Sequence, residues 1–113
     1  MINFHEHKLW QQAYVALMDL HDVVSQGDVG EHDREVVKEL VESAQKLTAT
    51  IADSLTRQDR RVGRDLMGEA VGQVAITRTH LAVAWGRGLM DDETFRPLDE
   101  KYASLSEGLQ SNR

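Results

Sequence analysis

Arg57, Arg60, Arg61 and Arg64 would share about 100° of arc on a helix of 3.6 residues per turn, so one side of that segment gathers four guanidinium groups. Such a cluster suits a phosphate backbone or an acidic protein surface, and in a ring of identical chains symmetry would multiply its field. Cations in the first turns of a helix also oppose its dipole, a modest cost that points to a role. The alternative is a solvated face, or pairing inside the chain with Asp53, Asp59 and Asp65. RNA and an acidic protein are the partner classes this cluster predicts.

The remaining chemistry is sparse. There are five histidines, His5, His7, His21, His32 and His80, and no cysteine. The missing cysteine excludes disulfides, a thiol nucleophile and Cys-ligated zinc. His5-x-His7 precedes the first helix, and no Glu-x-x-His pair of the di-iron kind occurs, so no metal site is expected. Gly63-x-x-x-x-Gly68 is followed by Glu69 instead of Lys and is not a phosphate-binding loop. No Ser-His-Asp or paired-carboxylate arrangement has supporting context. The expectation is a non-catalytic chain without a cofactor, with Trp10, Trp85 and Tyr102 in the core.

These side chains need a scaffold. At 113 residues, 41% hydrophobic and 28% charged, the chain has length for one core. The longest apolar runs are about five residues, as at 81–85, against the roughly 20 that a membrane helix needs. Residues 1–7 hold no apolar segment of the secretory kind. A cytoplasmic domain without a membrane partner is expected. Charge is uneven: residues 1–56 are net −6, residues 57–90 net +3 and residues 91–113 net −3.

Apolar residues recur at helical spacing in four segments. The first places Trp10, Ala13, Tyr14, Leu17, Leu20 and Val24 on one stripe and ends in a loop from Ser25 through Gln26, Gly27 and Asp28 to Gly30. Asp33 is the expected cap of the second, whose stripe is Val37, Leu40, Ala44, Leu47, Ile51 and Leu55. A single helix from Asp33 to Trp85 would run about 75 Å, too long for so small a domain. A break near Thr56 is expected instead, with Thr56-x-x-Asp59 as a weak capping box. The third helix should stop at Gly86-x-Gly88. The fourth carries Phe95, Leu98, Tyr102, Leu105 and Leu109; Pro97 suits its first turn if Thr94 is the cap, with Asp91 or Asp92 competing. The spacing predicts helices over about 6–25, 33–55, 58–87 and 93–110. Together they read as an all-α, antiparallel, up-down-up-down four-helix bundle.

The third helix has two seams. Met67, Ala70, Val71, Val74, Leu81 and Trp85 form the expected core stripe. Gly68, Gly72, Ala75, Thr79, Ala82 and Gly86 form a second series of small residues roughly 100° away. Ile76 and Val83 widen it, leaving Glu69, Gln73, His80 and Arg87 as a narrow solvated strip. A helix apolar over most of its circumference is buried on most sides, so the small series is a candidate subunit interface; the alternative is that it accommodates bulky neighbours such as Trp10. Arg78 falls inside the core stripe and needs a carboxylate, for which Asp19 and Asp22 on the first helix are the candidates.

Asn3-Phe4-x-x-x-Lys8-x-Trp10-Gln11-x-Ala13 resembles the opening of the small four-helix-bundle proteins encoded by intervening sequences of bacterial 23S ribosomal RNA genes. Ile51-Ala52-Asp53 followed by Arg57, then Ala70-Val71-Gly72, Thr79-x-Leu81, Ala84-x-x-x-Gly88, the turn Gly88-Leu89-Met90-Asp91 and Phe95, continue the likeness in register. The resemblance implies an antiparallel bundle assembled as a homopentameric ring. A relative in that family, the accessory protein of diversity-generating retroelements, binds nucleic acid and a reverse transcriptase through a basic surface. Three departures stand out. Ser54 replaces a family Gly near the turn between helices two and three, which makes a left-handed cap there less favourable. Val41-Glu42 stands where many members have paired basic residues, and the chain is acidic, with a formal charge of −6. The last two weigh against inherited nucleic-acid binding. The reading is a homo-oligomeric scaffold or binding module, with an RNA-binding accessory factor as the alternative.

Overall fold

The computed structural model describes residues 3–25 and 29–112. Gln26, Gly27 and Asp28 of the expected first loop lie outside the described residues, as do Met1, Ile2 and Arg113. The chain is all-helical, at 87%, with no strand among the described residues. Its four helices are α1 (Lys8–Val24), α2 (Arg34–Thr56), α3 (Arg60–Gly86) and α4 (Asp92–Ser111), with 3-10 turns at Phe4–Glu6 and Glu31–Asp33. No helix is long and apolar enough to cross a membrane.

The breaks fall where local chemistry stops a helix. Asp59 caps α3 by accepting from the Arg61 and Val62 amides at 2.9 and 3.3 Å. Thr56 is not part of a capping box; its hydroxyl donates back to the Ala52 and Asp53 carbonyls and closes α2. The α2–α3 turn uses extended backbone at Arg57 and Asp59 and no left-handed residue, so Ser54 has no such cap to impair. Instead Ser54 sits in the last turns of α2 and donates to the Gly63 carbonyl of α3 at 2.6 Å. At the far end of α3, Gly88 has φ +77°, Leu89 N–H bonds the Ala84 carbonyl and Gly88 N–H bonds the Trp85 carbonyl. This is the Schellman closure that a left-handed glycine permits. Asp91 caps α4 through the Thr94 amide at 2.9 Å, so Pro97 lies in the second turn and leaves the Glu93 carbonyl without its usual donor. Asp33 precedes α2, but its carboxylate makes no cap and goes to Arg87 at 3.0 Å.

The longest dimension of the molecule is 45 Å, close to the length of α3 at about 1.5 Å per residue and too short for one helix through 33–85. α2 packs on α3, α3 on α4, and α1 on both α2 and α4; α1 and α3 lie across the diagonal, as do α2 and α4. One apolar cluster fills the space between them. Leu20, Leu40, Leu47, Ile51, Leu81, Tyr102, Leu105 and Leu109 are its largest fully buried members.

The expected stripes are present, with that of α4 in place and those of α1 and α2 turned by a fraction of a helical turn. On α1 the buried set is Leu9, Ala13, Ala16, Leu17 and Leu20, while Trp10 is half-buried and Tyr14 is exposed. On α2, Val37 and Leu55 are only half-buried, and Thr48 and Ser54 join the buried side. On α4, Phe95 stays half-buried above Leu98, Tyr102, Leu105 and Leu109.

Candidate functional site

The four arginines stand at one end of the molecule, where α2 ends, α3 begins and α4 ends. Their spacing puts them near one another, yet the structure separates them. Arg57, Arg60 and Arg64 line a groove of about 420 Å³ with Ser54, Leu55, Gly63, Met67 and Asn112; Arg61 is exposed and lies outside it. Arg57 donates through Nε and Nη2 to the Asp53 carboxylate at 2.7 and 3.2 Å. That hydrogen bond holds Asp53 below the usual carboxylate range and pushes Arg57 up. The other expected pairings do not form: Asp59 serves as the α3 cap, and no ion pair joins Asp65 to an arginine among the described residues. Arg60, Arg61 and Arg64 make no ion pair among the described residues.

The frame beneath them is tight. A Cβ added to Gly63 would meet the Ser54 backbone carbonyl at 3.2 Å, so a larger residue would force the ends of α2 and α3 apart. With the Ser54 hydroxyl on the Gly63 carbonyl, this contact holds the end of α2 against the start of α3, the helix that carries Arg60 and Arg64.

Among the described residues the small series on α3 is mostly uncovered, although Ala75, Thr79 and Ala82 border a groove with Phe95 and Asp99 of α4. Gly68 is half-buried, but Gly72, Ala75, Thr79, Ala82 and Gly86 are exposed, and a Cβ at Gly72 or Gly86 would meet nothing within 4 Å. The buried residues of α3 are Met67, Ala70, Gln73, Val74, Thr77, Leu81 and Ala84. Thr79 and Val83 therefore lie roughly opposite the core at 3.6 residues per turn. Ile76, 53% exposed, and Val83, 45% exposed, stand on this same outer face. No exposed position between Ala70 and Gly86 is charged.

The strip expected to be solvated is so only in part: Glu69 and Arg87 are exposed, but the strip borders α2. Gln73 is buried, His80 approaches Glu39 of α2 at 4.0 Å and Arg87 bonds Asp33 beside the start of α2. This side of α3 faces α2. The opposite flank faces α4, where Trp85 is 40% exposed; its Nε1 donates to Asp92 at 2.7 Å and its ring stacks on Phe95 at 4.6 Å.

The expected pairing of Arg78 with Asp19 or Asp22 does not occur. Arg78 grips Asp99 of α4 with both Nε and Nη2, at 2.8 and 3.0 Å, and is half-buried instead of deep in the core. The reason is topological: α1 lies diagonal to α3, out of reach, while α4 is adjacent. Asp19 pairs with Lys101, and Asp22 is exposed with no ion pair among the described residues.

Of the histidines, His7 caps α1 by accepting the Leu9 amide at Nδ1, 3.2 Å away. No three His, Asp or Glu side chains gather as a metal cluster among the described residues. A groove of about 580 Å³ lies between α1 and α4, lined by Val15, Pro97 and Ser104 among others, but its Lys101 is tied to Asp19. Tyr102 is buried as expected, whereas the burial of Gln73 was not legible in the sequence. Gln73 Oε1 and the Tyr102 hydroxyl have no hydrogen-bond partner among the described residues. Burial, with the Asp19 charge adding to it, pushes the Tyr102 phenol up.

No family model, curated protein or solved structure matches this chain. The class that the coordinates define is an all-helical, four-helix protein.

Proposed function

We propose that the chain is a non-catalytic homo-oligomeric scaffold or binding module, an up-down-up-down bundle that assembles through the outer face of α3. The pentameric ring implied by the resemblance to the intervening-sequence proteins is the expected form. One observation carries the proposal: four turns of α3 turn an uncharged, partly apolar face away from the core, in a chain that is 28% charged. A helix apolar inside and outside is stable in water only when both sides are covered.

The antiparallel topology draws support from cross-helix pairs. Ser54 meets Gly63, His80 meets Glu39 and Arg87 meets Asp33, so α2 and α3 run in opposite senses. Arg78 with Asp99 and Trp85 with Asp92 reverse α4 against α3. Lys101 with Asp19, and Leu9 beneath Gly108, reverse α1 against α4.

A closed ring needs two different, complementary patches on each subunit. The diagonal helix supplies a second one, since Tyr14, Val15 and Met18 of α1 are all exposed. The α3 face is low and flat with small residues, while the α1 face carries large ones. RNA binding is the weaker reading. The chain as a whole is acidic, with a formal charge of −6, which disfavours a long polyanion.

Light scattering coupled to gel filtration tests the assembly. Five chains of 12.8 kDa should elute together at about 64 kDa. A clean monomer at micromolar concentration overturns the reading. Gly72→Leu and, separately, Ala75→Arg should shift the population towards monomer without lowering helicity, since both side chains would project into open space.

A further inference from the structure

We propose that the groove at the α2–α3 turn is a binding site for a compact polyphosphate, either free or carried by a nucleotide, and that it does not serve a nucleic-acid strand. Arg60 and Arg64 are like charges one turn apart, an arrangement that destabilises a helix. Arg60 also stands in the first turn, where the dipole disfavours a cation, and no ion pair joins Arg60 or Arg64 to a carboxylate among the described residues. A local rule broken without internal compensation marks a functional position.

The geometry says which ligand. Arg57, Arg60 and Arg64 face one groove, and Arg57 spends Nε and Nη2 on Asp53 while keeping Nη1 for a ligand. Guanidinium forks match phosphate oxygens bidentately, and three of them around one groove exceed what a single carboxylate engages. Leu55 and Met67 supply an apolar floor, and Ser54 and Asn112 supply polar edges. At about 420 Å³ the groove has the size of a small-molecule site and not of a strand-length channel. The close Ser54–Gly63 contact fixes the frame in advance, which lowers the ordering cost of binding.

The charge distribution decides between a compact ligand and a polymer. At physiological salt, fields between exposed charges fade over about 8 Å. A linked pair or triplet of phosphates lies wholly within reach of the three arginines. A longer strand extends beyond the three guanidinium groups that line the groove, and its further phosphates gain nothing from them. This site is separate from the α3 face and stands whether or not the chain assembles.

Isothermal titration at about 150 mM salt without magnesium tests the site, with ATP, inorganic triphosphate and a 20-nucleotide single-stranded RNA as probes. ATP or triphosphate should bind one site per chain, and Arg60→Gln with Arg64→Gln should weaken this at least about tenfold. Arg60→Lys with Arg64→Lys keeps the charge without the fork and should retain part of the affinity. Arg61→Gln, outside the groove, should change it by less than about twofold. Tighter binding of ATP than of triphosphate brings the Leu55–Met67 floor into the site, and equal binding assigns it to the phosphate chain; both support the proposal. Three results overturn it: no binding of either probe at millimolar concentration, an effect of Arg61→Gln as large as that of the double variant, or tighter binding of the RNA than of ATP at this salt. Circular dichroism checks that the variants, altered only at exposed positions, keep their helicity.

Discussion

The first two turns of α3 and the four turns from Gly72 to Gly86 present opposite chemistry to the outside of one helix. The first holds Arg60, Arg61 and Arg64 without a paired carboxylate among the described residues; the second holds Gly72, Ala75, Ile76, Thr79, Ala82, Val83 and Gly86 without a charge. Elsewhere the ionic and apolar groups of the helix are answered from within. Arg78 has Asp99, Arg87 has Asp33, and Leu81 and Val74 have the core. The difference teaches where to look for partners. A residue whose physical requirement is met inside the chain needs no outside explanation, whereas these two surfaces are left to solvent and are where the proposed partners would bind.

Mutating the inside and the outside of the same four turns gives the largest test of that contrast. Leu81 is fully buried, so Leu81→Ala should cost about 2–5 kcal/mol of stability through lost burial and a cavity. Ile76→Ala on the outer face should cost the isolated chain no more than about 0.5 kcal/mol, while weakening assembly. Urea unfolding in an Ala75→Arg background, where chains are separated, makes the comparison clean. Equal losses at the two positions would place Ile76 in the folding core and break the contrast.

How far the sequence could disclose these surfaces follows from the residues involved. Helix boundaries were legible because they rest on local chemistry: Asp59 and Asp91 cap, and Gly88 adopts the left-handed turn. The centre of the α3 core was less legible. Bulky Trp85 drew the expected stripe towards the α4 side, where the ring proves to be partly exposed against Phe95. The true centre runs through Ala70, Thr77 and Ala84, whose small size gives little hydrophobic signal, and through Gln73, whose polarity argues for water. That shift turned the small series from the side of the helix to its outside. The Asp99 partner of Arg78 is a matter of which helices are neighbours, and periodicity along one helix carries no such information. The arginine cluster was legible as a cluster. Its division into three groove residues and an outlying Arg61 depends on the Ser54–Gly63 contact, which only the folded turn reveals.

That contact yields a smaller, sharper test. Ser54→Ala removes the hydroxyl bonded to the Gly63 carbonyl and should cost about 1 kcal/mol. Ser54→Gly restores the residue typical of the resembled family, loses the same bond and adds a helix-interior glycine, for a total of roughly 2 kcal/mol. The ordering Gly below Ala below Ser in urea midpoint is the expected result. A neutral Ser54→Ala would mean that close packing at Gly63 alone holds the two helix ends, and the groove would lose one of its two restraints.

The smallest expected effect is in acid, and it concerns the carboxylates of Asp53 at the end of α2 and Asp91 at the start of α4. The Arg57 hydrogen bond keeps Asp53 below its ordinary pKa of 3.8, and the side chain and amide of Thr94 do the same for Asp91. A carboxyl depressed in the folded state stabilises it at pH values above the unfolded pKa and loses that contribution as pH falls through the folded value. From pH 7 to pH 5 both groups stay ionised in either state, so the stability gaps between the native chain and Asp53→Asn or Asp91→Asn should be flat. Below about pH 4 those gaps should close, because protonation removes from the native protein what the amide has already removed. A gap that widened in acid would mean that these carboxylates are not held ionised by their partners. Asp53→Asn carries a further consequence at neutral pH, where it takes the charge off the residue that engages Arg57 Nε and Nη2. With its competitor weakened, Arg57 should turn to a bound phosphate, and triphosphate affinity should rise by less than about tenfold. The same variant would thus weaken the fold slightly and strengthen the groove, a pairing of signs that a merely structural Asp53–Arg57 bridge does not produce.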